Sequence, residues 1–206
     1  MKVRIVLDIA CAWSFLGFTH YLRAAERFRA EGGVLETEFL PFQLAPDAPT
    51  DGEPLREVHR RVFGPSAEER TAHLTEVAAR SGLEIRYDRA VFANTLAAHG
   101  LIAQATAQGA GEQTVARLFG AYFTEGLNVA DLTVLRNIAA RNGVDWHPDG
   151  GTDATAAGFR TVAGLRVRSV PLFLFDDGST VNGAQSPEAF LAALRTAAAA
   201  QAGTAA

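Results

Sequence analysis

Residues 4–18 read RIVLDIACAWSFLGF. Val3, Ile5, Val6 and Leu7 are closely spaced apolar residues and predict a buried strand over Lys2–Asp8. From Trp13 a helical pattern takes over, running to Arg29. Phe15, Phe18, Leu22, Ala25 and Phe28 fall on one side, with Arg23 and Arg27 on the other. Gly32–Gly33 stops it. Cys11, the single cysteine in 206 residues, stands where strand passes to helix. Unpaired N–H groups and the dipole at a helix start favour a thiolate, and such sites take a thiol from ~8.5 into the range ~3.5–7.5. Ser14 lies one turn on, and its hydroxyl acts in the same direction. Burial beneath Trp13 opposes both. The expectation is that the helix end wins and that Cys11 is an accessible thiol of low pKa.

Working outward, Val34–Phe42 (VLETEFLPF) alternates and then turns wholly apolar, predicting a second strand. Strand, helix and strand in this order suggest a parallel βαβ unit. After a turn-rich loop the middle of the chain reads as four or five helices. Ser66 and Glu69 match a capping box ahead of RTAHLTEVAARSG, which Gly82 ends. A helix is predicted over residues 90–109. In TVARLFGAYFTEG, Val115, Leu118, Phe119, Tyr122 and Phe123 form a helical stripe. Asp131 is placed to cap the next helix. Near the C-terminus, Leu172–Phe175 and Thr180–Val181 flank Asp176-Asp177-Gly178, a hairpin signal. Ser186-Pro187-Glu188 then opens a helix.

The assembled order, βαβ, helices, ββα, is the topology of an α/β thioredoxin-like fold with a large inserted helical domain. The expected boundaries are 1–45 and 155–200 for the thioredoxin-like part, 50–145 for the insert, and a disordered Ala-rich tail at 201–206. The first two strands are expected side by side and parallel. In such a fold Pro171 opens the third strand, takes a cis bond after Val170 and faces the cysteine helix. Free backbone groups of Val170 then pair with an extended substrate.

Composition narrows the function. Hydrophobic residues make up 48% and charged residues 20%, and the net charge is -4. No basic cluster suggests nucleic acid or an anionic membrane surface. No apolar run approaches the ~20 residues of a membrane span. One cysteine excludes an intramolecular disulfide and fits a cytoplasmic, reducing setting. No Cys/His/Asp arrangement has metal-ligand spacing, and no glycine loop of nucleotide type follows a strand.

Six stretches carry a family resemblance: DIACAWSFLG (8–17), FLPFQL (39–44), NTLAAHGL (94–101), LFGAYFTEGLNVADLTVL (118–135), RSVPLFLF (168–175) and VNGAQSPEAFLAAL (181–194). The chain resembles DsbA-like thioredoxin-fold proteins, nearest their cytosolic FrnE-type branch, over residues 3–197. In that family the segment matching Cys11–Ser14 is commonly Cys-Pro-Trp-Cys. Here Cys11 and Trp13 are kept, while Ala12 and Ser14 replace the proline and the second cysteine. The resemblance implies a thiol-disulfide oxidoreductase, and the missing cysteine implies a monothiol site. Cys11 and Ser14 are the expected catalytic pair. Trp13, Val170, Pro171, Asn182 and Gly183 are the expected substrate contacts.

Kappa-class glutathione transferases and 2-hydroxychromene-2-carboxylate isomerases resemble the chain as well. Their segment has the form Asp-x-x-Ser-Pro-x-Ser, to which Cys11-Ala-Trp-Ser14 is intermediate. Their Gly-Ser-Asp-type segment for the γ-glutamyl end is replaced here by Gly183-Ala184-Gln185. Glutathione is the one cofactor candidate this likeness raises, and a non-enzymatic binding protein is the remaining alternative. Partners are expected to be thiol-containing peptides or small molecules, with a homodimer left open. The other conspicuous side chains are read as structural. Asp8 ends the strand, with tuning of the Cys11 pKa as the alternative, His99 is a bonded core histidine, Tyr122 and Phe123 are core, and His59-Arg60-Arg61 form a solvated helix face.

Overall fold

The computed structural model describes the backbone of residues 1–204 and the side chains of residues 1–201. Strand β1 (Lys2–Leu7) leads into α1 (Ala12–Ala30), and β2 (Glu36–Pro41) returns parallel to β1, with Ile5 beside Phe39. After the middle helices, β5 (Leu172–Phe175) runs antiparallel to β1 and pairs with β6 (Thr180–Asn182) across the Gly178 turn. The sheet order is β2-β1-β5-β6, a thioredoxin-like mixed sheet. Helix α8 (Pro187–Thr204) packs along α1, and Ser186 Oγ accepts from the Ala189 N–H (3.2 Å) to cap it. The tail expected from residue 201 is helical through Thr204, because alanines propagate a helix already begun. Residues 205–206 lie outside the described residues.

Between β2 and β5 lie a two-stranded ribbon and six helices. The ribbon is β3 (Glu53–Pro54) with β4 (Val91–Phe92). The helices are α2 (Leu55–Phe63), α3 (Ala67–Arg80), α4 (Leu96–Ala107), α5 (Gly111–Gly120), α6 (Leu132–Arg141) and α7 (Thr152–Gly164). The helix predicted from residue 90 starts six residues late. Val91 and Phe92 pair with β3, and Asn94 Oδ1 accepts from the Leu96 N–H (2.9 Å) at the helix start. The Ser66–Glu69 capping box does not form. Ser66 already has helical dihedrals in a 3-10 turn, and its hydroxyl donates back to Phe63 O (2.9 Å). Asp131 does cap α6, accepting from Thr133 N–H at 2.7 Å.

The stripe Val115, Leu118, Phe119, Tyr122 and Phe123 is buried as its spacing predicts. Its last turn, Ala121–Glu125, widens to a π-helix. There Phe123 O accepts from the Arg86 N–H (2.7 Å), and Thr124 Oγ1 donates to Glu84 O. Phe15 from α1 stacks on Phe119 (5.2 Å) and Phe123 (5.8 Å), joining the insert to the sheet layer. Helix α7 packs against the sheet through Val162 and through a small residue. A Cβ on Gly158 would stand 2.5 Å from Pro41 Cδ.

Candidate active site

Two turns of backbone bonding hold Cys11 at the end of β1. Its N–H donates to Asp8 O (3.0 Å), and its carbonyl takes the first α1 bond, from Phe15 N–H (3.0 Å). Cys11 keeps extended dihedrals, so the chain turns into the helix at Ala12. The Asp8 carboxylate is enclosed and braces the turn. It accepts from Ala10 N–H (3.3 Å) and from Leu44 N–H (2.7 Å), tying the β1 end to the loop after β2. His99 donates through Nε2 to Phe42 O (3.0 Å) and stands 3.6 Å from Asp8 Oδ1, so both readings of these residues as structural groups fit the geometry.

The Val170–Pro171 peptide bond is cis. Cys11 Sγ–H donates to Val170 O at 3.6 Å, which brings the thiol and the residue before Pro171 together. Val170 N–H donates to no described residue. Gly17 lets α1 close on this loop, since a Cβ there would lie 2.8 Å from Pro171 Cγ and 3.2 Å from Ala184 Cα.

The sulfur has two sides. On the sheet side it packs with Val6, Leu40, Val162 and Val170. On the other side, Cys11 and Trp13 line a cavity of about 370 Å³ under α2 and α3. Leu44, His59, Phe63, Arg70, His73, Tyr87 and Phe123 are among the other residues of its wall. Trp13 is 43% exposed and stands at its mouth. Among the described residues, no group of three or more His, Cys, Asp or Glu is placed to hold a metal ion.

Electrostatics at the sulfur runs against the expectation of a low pKa. Cys11 is buried, and loss of water pushes its thiol up. The Ser14 hydroxyl and N–H and the Trp13 N–H pull it down, as the helix start predicts, while the Asp8 charge adds to the rise. Burial wins. Ser14 is itself wholly enclosed, and its Oγ makes no hydrogen bond of ordinary geometry while lying close enough to the sulfur to favour the charged form. The error lay in treating the helix end as exposed: Val6, Leu40, Val162 and Val170 close around the thiol.

The structure thus brings Cys11, Ser14, Trp13, Val170 and Pro171 around one sulfur or its loop. Asn182 and Gly183 do not reach the cavity. Gly183 turns with φ 75° and donates its N–H to Pro171 O (2.9 Å), and Asn182 O accepts from Gln185 Nε2, so both brace the Pro171 loop instead. His59 is not on a solvated face. It is half-buried, packs against Phe63 and Tyr87, and lines the cavity; Arg60 and Arg61 do point outward. Burial pushes the His59 pKa down. Sequence reading missed Leu44, Phe63, Arg70 and Tyr87. The one local signal was the spacing of His59 and Phe63, which puts both on one face of α2.

Comparison with known proteins agrees with this architecture. A probable DsbA oxidoreductase from Streptomyces coelicolor is 29% identical, with a TM-score of 0.83 over 96% of this chain and 89% of its own. The cytosolic disulfide reductase DsbM from Pseudomonas aeruginosa is 21% identical and covers 95% and 98% of the two chains with a TM-score of 0.65. A 2-hydroxychromene-2-carboxylate isomerase is 16% identical over both full lengths, with a TM-score of 0.64. These last two share the fold. No curated protein matches significantly. The model of the DSBA-like thioredoxin domain matches residues 2–195, and the chain belongs to that family. No helix among the described residues is long and apolar enough to cross a membrane.

Proposed function

We propose that the protein is a monothiol thiol-disulfide oxidoreductase acting through Cys11 on a thiol-containing peptide or small molecule in a cytoplasmic, FrnE-type setting. The observation that carries this is the position of the sulfur. It lies against the Val170 carbonyl beside Pro171, with Ser14 one turn on and an open cavity at its other side. The step is an exchange. Cys11 loses its proton and attacks one sulfur of a substrate disulfide. A new S–S bond forms, the old one breaks, and the leaving thiolate takes up a proton. Ser14 has no thiol to resolve the product, so a second, external thiolate attacks the substrate sulfur of the mixed disulfide. An S–S bond between that thiol and the substrate half forms, the bond to Cys11 breaks, and Cys11 leaves as the thiolate. Val170 N–H, without a partner, is available to pair with an extended substrate.

The test is intact mass after incubation with glutathione disulfide at rising pH. A single mixed disulfide at Cys11, formed faster as pH rises, supports the reading. Ser14→Cys should raise insulin reduction by about tenfold or more by restoring a resolving thiol. No adduct with wild type and no activity with Ser14→Cys overturn it. One observation favours a second reading, a glutathione-dependent transferase or isomerase: the enclosed thiol is held as a hydrogen-bond donor. Retention on immobilised glutathione with no covalent adduct would favour that one.

A further inference from the structure

We infer that the protein carries a second ligand site, a cavity between α4 and α7 that takes a small uncharged molecule, mostly apolar and bearing one carbonyl or hydroxyl oxygen, which the Thr155 hydroxyl holds. The cavity encloses about 550 Å³, more than the one beside Cys11, and the two share no lining residue. A space of this size suits a small molecule. Leu96 and Ala97 from α4 and Ala156 and Phe159 from α7 supply apolar wall, with Ala130 and Pro148. No charged side chain lines it among the described residues, although charged residues make up 20% of the chain. Such a wall offers nothing to offset the dehydration of an ion, so it selects a neutral ligand. Its polar side chains differ in one respect. Asn94 accepts from Leu96 N–H (2.9 Å) and donates to Pro46 O (2.6 Å), and Thr152 donates to Asp149 O (2.8 Å). Thr155 is only 5% exposed, and its Oγ1 has no hydrogen-bond partner among the described residues. Thr19, Thr71, Thr75, Thr106 and Thr161, also in helices, each donate back to the carbonyl four residues earlier. Thr155 does not, which leaves its hydroxyl to the cavity it lines. An enclosed hydroxyl without a partner is costly, and a ligand oxygen supplies the missing bond. The wall is also held in place. Gln104 of α4 donates to His147 O and accepts from His147 N–H, both at 3.0 Å, fixing the loop that carries Pro148.

The test titrates the reduced, nitrogen-labelled protein with acetophenone, with α-methylstyrene, in which a methylene replaces the ketone oxygen, and with benzoate. Amide shifts in nitrogen–proton spectra should map the first two to residues 96–100 and 152–159, and benzoate should leave these amides in place. Thr155→Val keeps the shape of the side chain and removes the hydroxyl. It should weaken acetophenone about three- to tenfold, the effect of one hydrogen bond, without weakening α-methylstyrene. Ala156→Leu fills the cavity and should abolish binding of both. Protein whose Cys11 has been blocked with iodoacetamide should bind both as before, because the site stands apart from the thiol. Shifts confined to residues 10–13, binding lost on blocking Cys11, binding of neither neutral probe, benzoate bound as well as the ketone, or one and the same response of ketone and hydrocarbon to Thr155→Val would each overturn the inference. So would shifts at residues 96–100 and 152–159 that grow with protein concentration alone, since they would give this wall to a second copy of the chain.

Discussion

The sheet with α1, and the α2–α3 arm, both border Cys11, and they are held by different means. In the first, Val3, Ile5, Leu7, Phe18, Tyr21, Phe173 and Phe190 are enclosed on every side. Even its polar group is tied: the Tyr21 and Thr37 hydroxyls bond at 2.7 Å, Thr37 donates to Glu112, and Arg29 grips Glu112 with two nitrogens. The arm buries little beyond Leu55, Val58, Leu74 and Ala78, and leaves Val62 and Phe63 exposed. Its ion pairs, such as Arg60–Glu68 and Arg61–Glu53, lie in solvent, where such pairs contribute little. The base therefore fixes where the sulfur stands, while the arm supplies a cavity wall that local opening can reshape.

The largest break in that comparison should come from the base. Phe173→Ala removes a ring enclosed between Tyr21 and Phe190 and should lower stability by about 3–5 kcal/mol in denaturant melts. Leu74→Ala in the arm should fall near the low end of the Leu→Ala range, about 2 kcal/mol, yet speed Cys11 alkylation at low denaturant. Equal losses with no change in alkylation would show that the arm is no softer than the base.

Gly17→Ala probes the contact between α1 and the Pro171 loop. The added carbon meets Pro171 and the Ala184 backbone, so one of the two must move. A loss of about 1–3 kcal/mol is expected for overpacking, together with faster alkylation as Val170 O leaves the thiol. An unchanged melt would mean that the loop yields freely.

Two substitutions should move the Cys11 titration in opposite directions. Asp8→Asn removes a charge that disfavours the thiolate and should lower the pKa. Ser14→Ala removes a group that favours it and should raise the pKa further. Thiol absorbance against pH reads both. The raised pKa has a consequence for stability, because the folded chain holds its thiol proton more tightly than the unfolded chain. That contribution is complete below about pH 8.5 and is lost as pH rises through the folded pKa. Cys11→Ala should remove this first alkaline step; the later one comes from Tyr21, Tyr87 and Tyr122, whose pKa values burial also raises.

These residues also show what the sequence could reveal. The four strands of the main sheet and α1 were legible because their apolar spacing matches a period, and Cys11 because it stands at a helix start. Val170 was legible only through the thioredoxin-like order that places a proline at the third strand. Strands β3 and β4 lie in stretches whose patterns predict loop and helix. The direction of the Cys11 pKa was not, since it depends on Val6, Leu40, Val162 and Val170, which come from four separate places in the chain. Nor was the cavity wall. Arg70 and Tyr87 carry no local pattern, and only the packing of α2 and α3 brings them beside Cys11. Asn182 and Gly183 stand at the Pro171 loop, where Gly183 N–H bonds Pro171 O, and that contact too joins residues distant in the sequence pattern.

The smallest expected effect, and the most selective for the arm, is acid loosening through His59. Its pKa is lowered because burial between Phe63 and Tyr87 disfavours the charged ring. The unfolded or opened arm therefore binds a proton more readily than the closed one. Stability from this group is present above about pH 6.5, the ordinary value for histidine, and is lost as pH falls through the lowered folded value. His59 is only half-buried, so solvent moderates the effect. Hydrogen exchange at α2 and α3 should quicken between neutral pH and pH 5, after correction for intrinsic rates, while β1 and β5 stay protected. His59→Gln should flatten that dependence in the arm alone. Equal acid loosening of β1 would place the titrating group in the base and remove the distinction between the two regions.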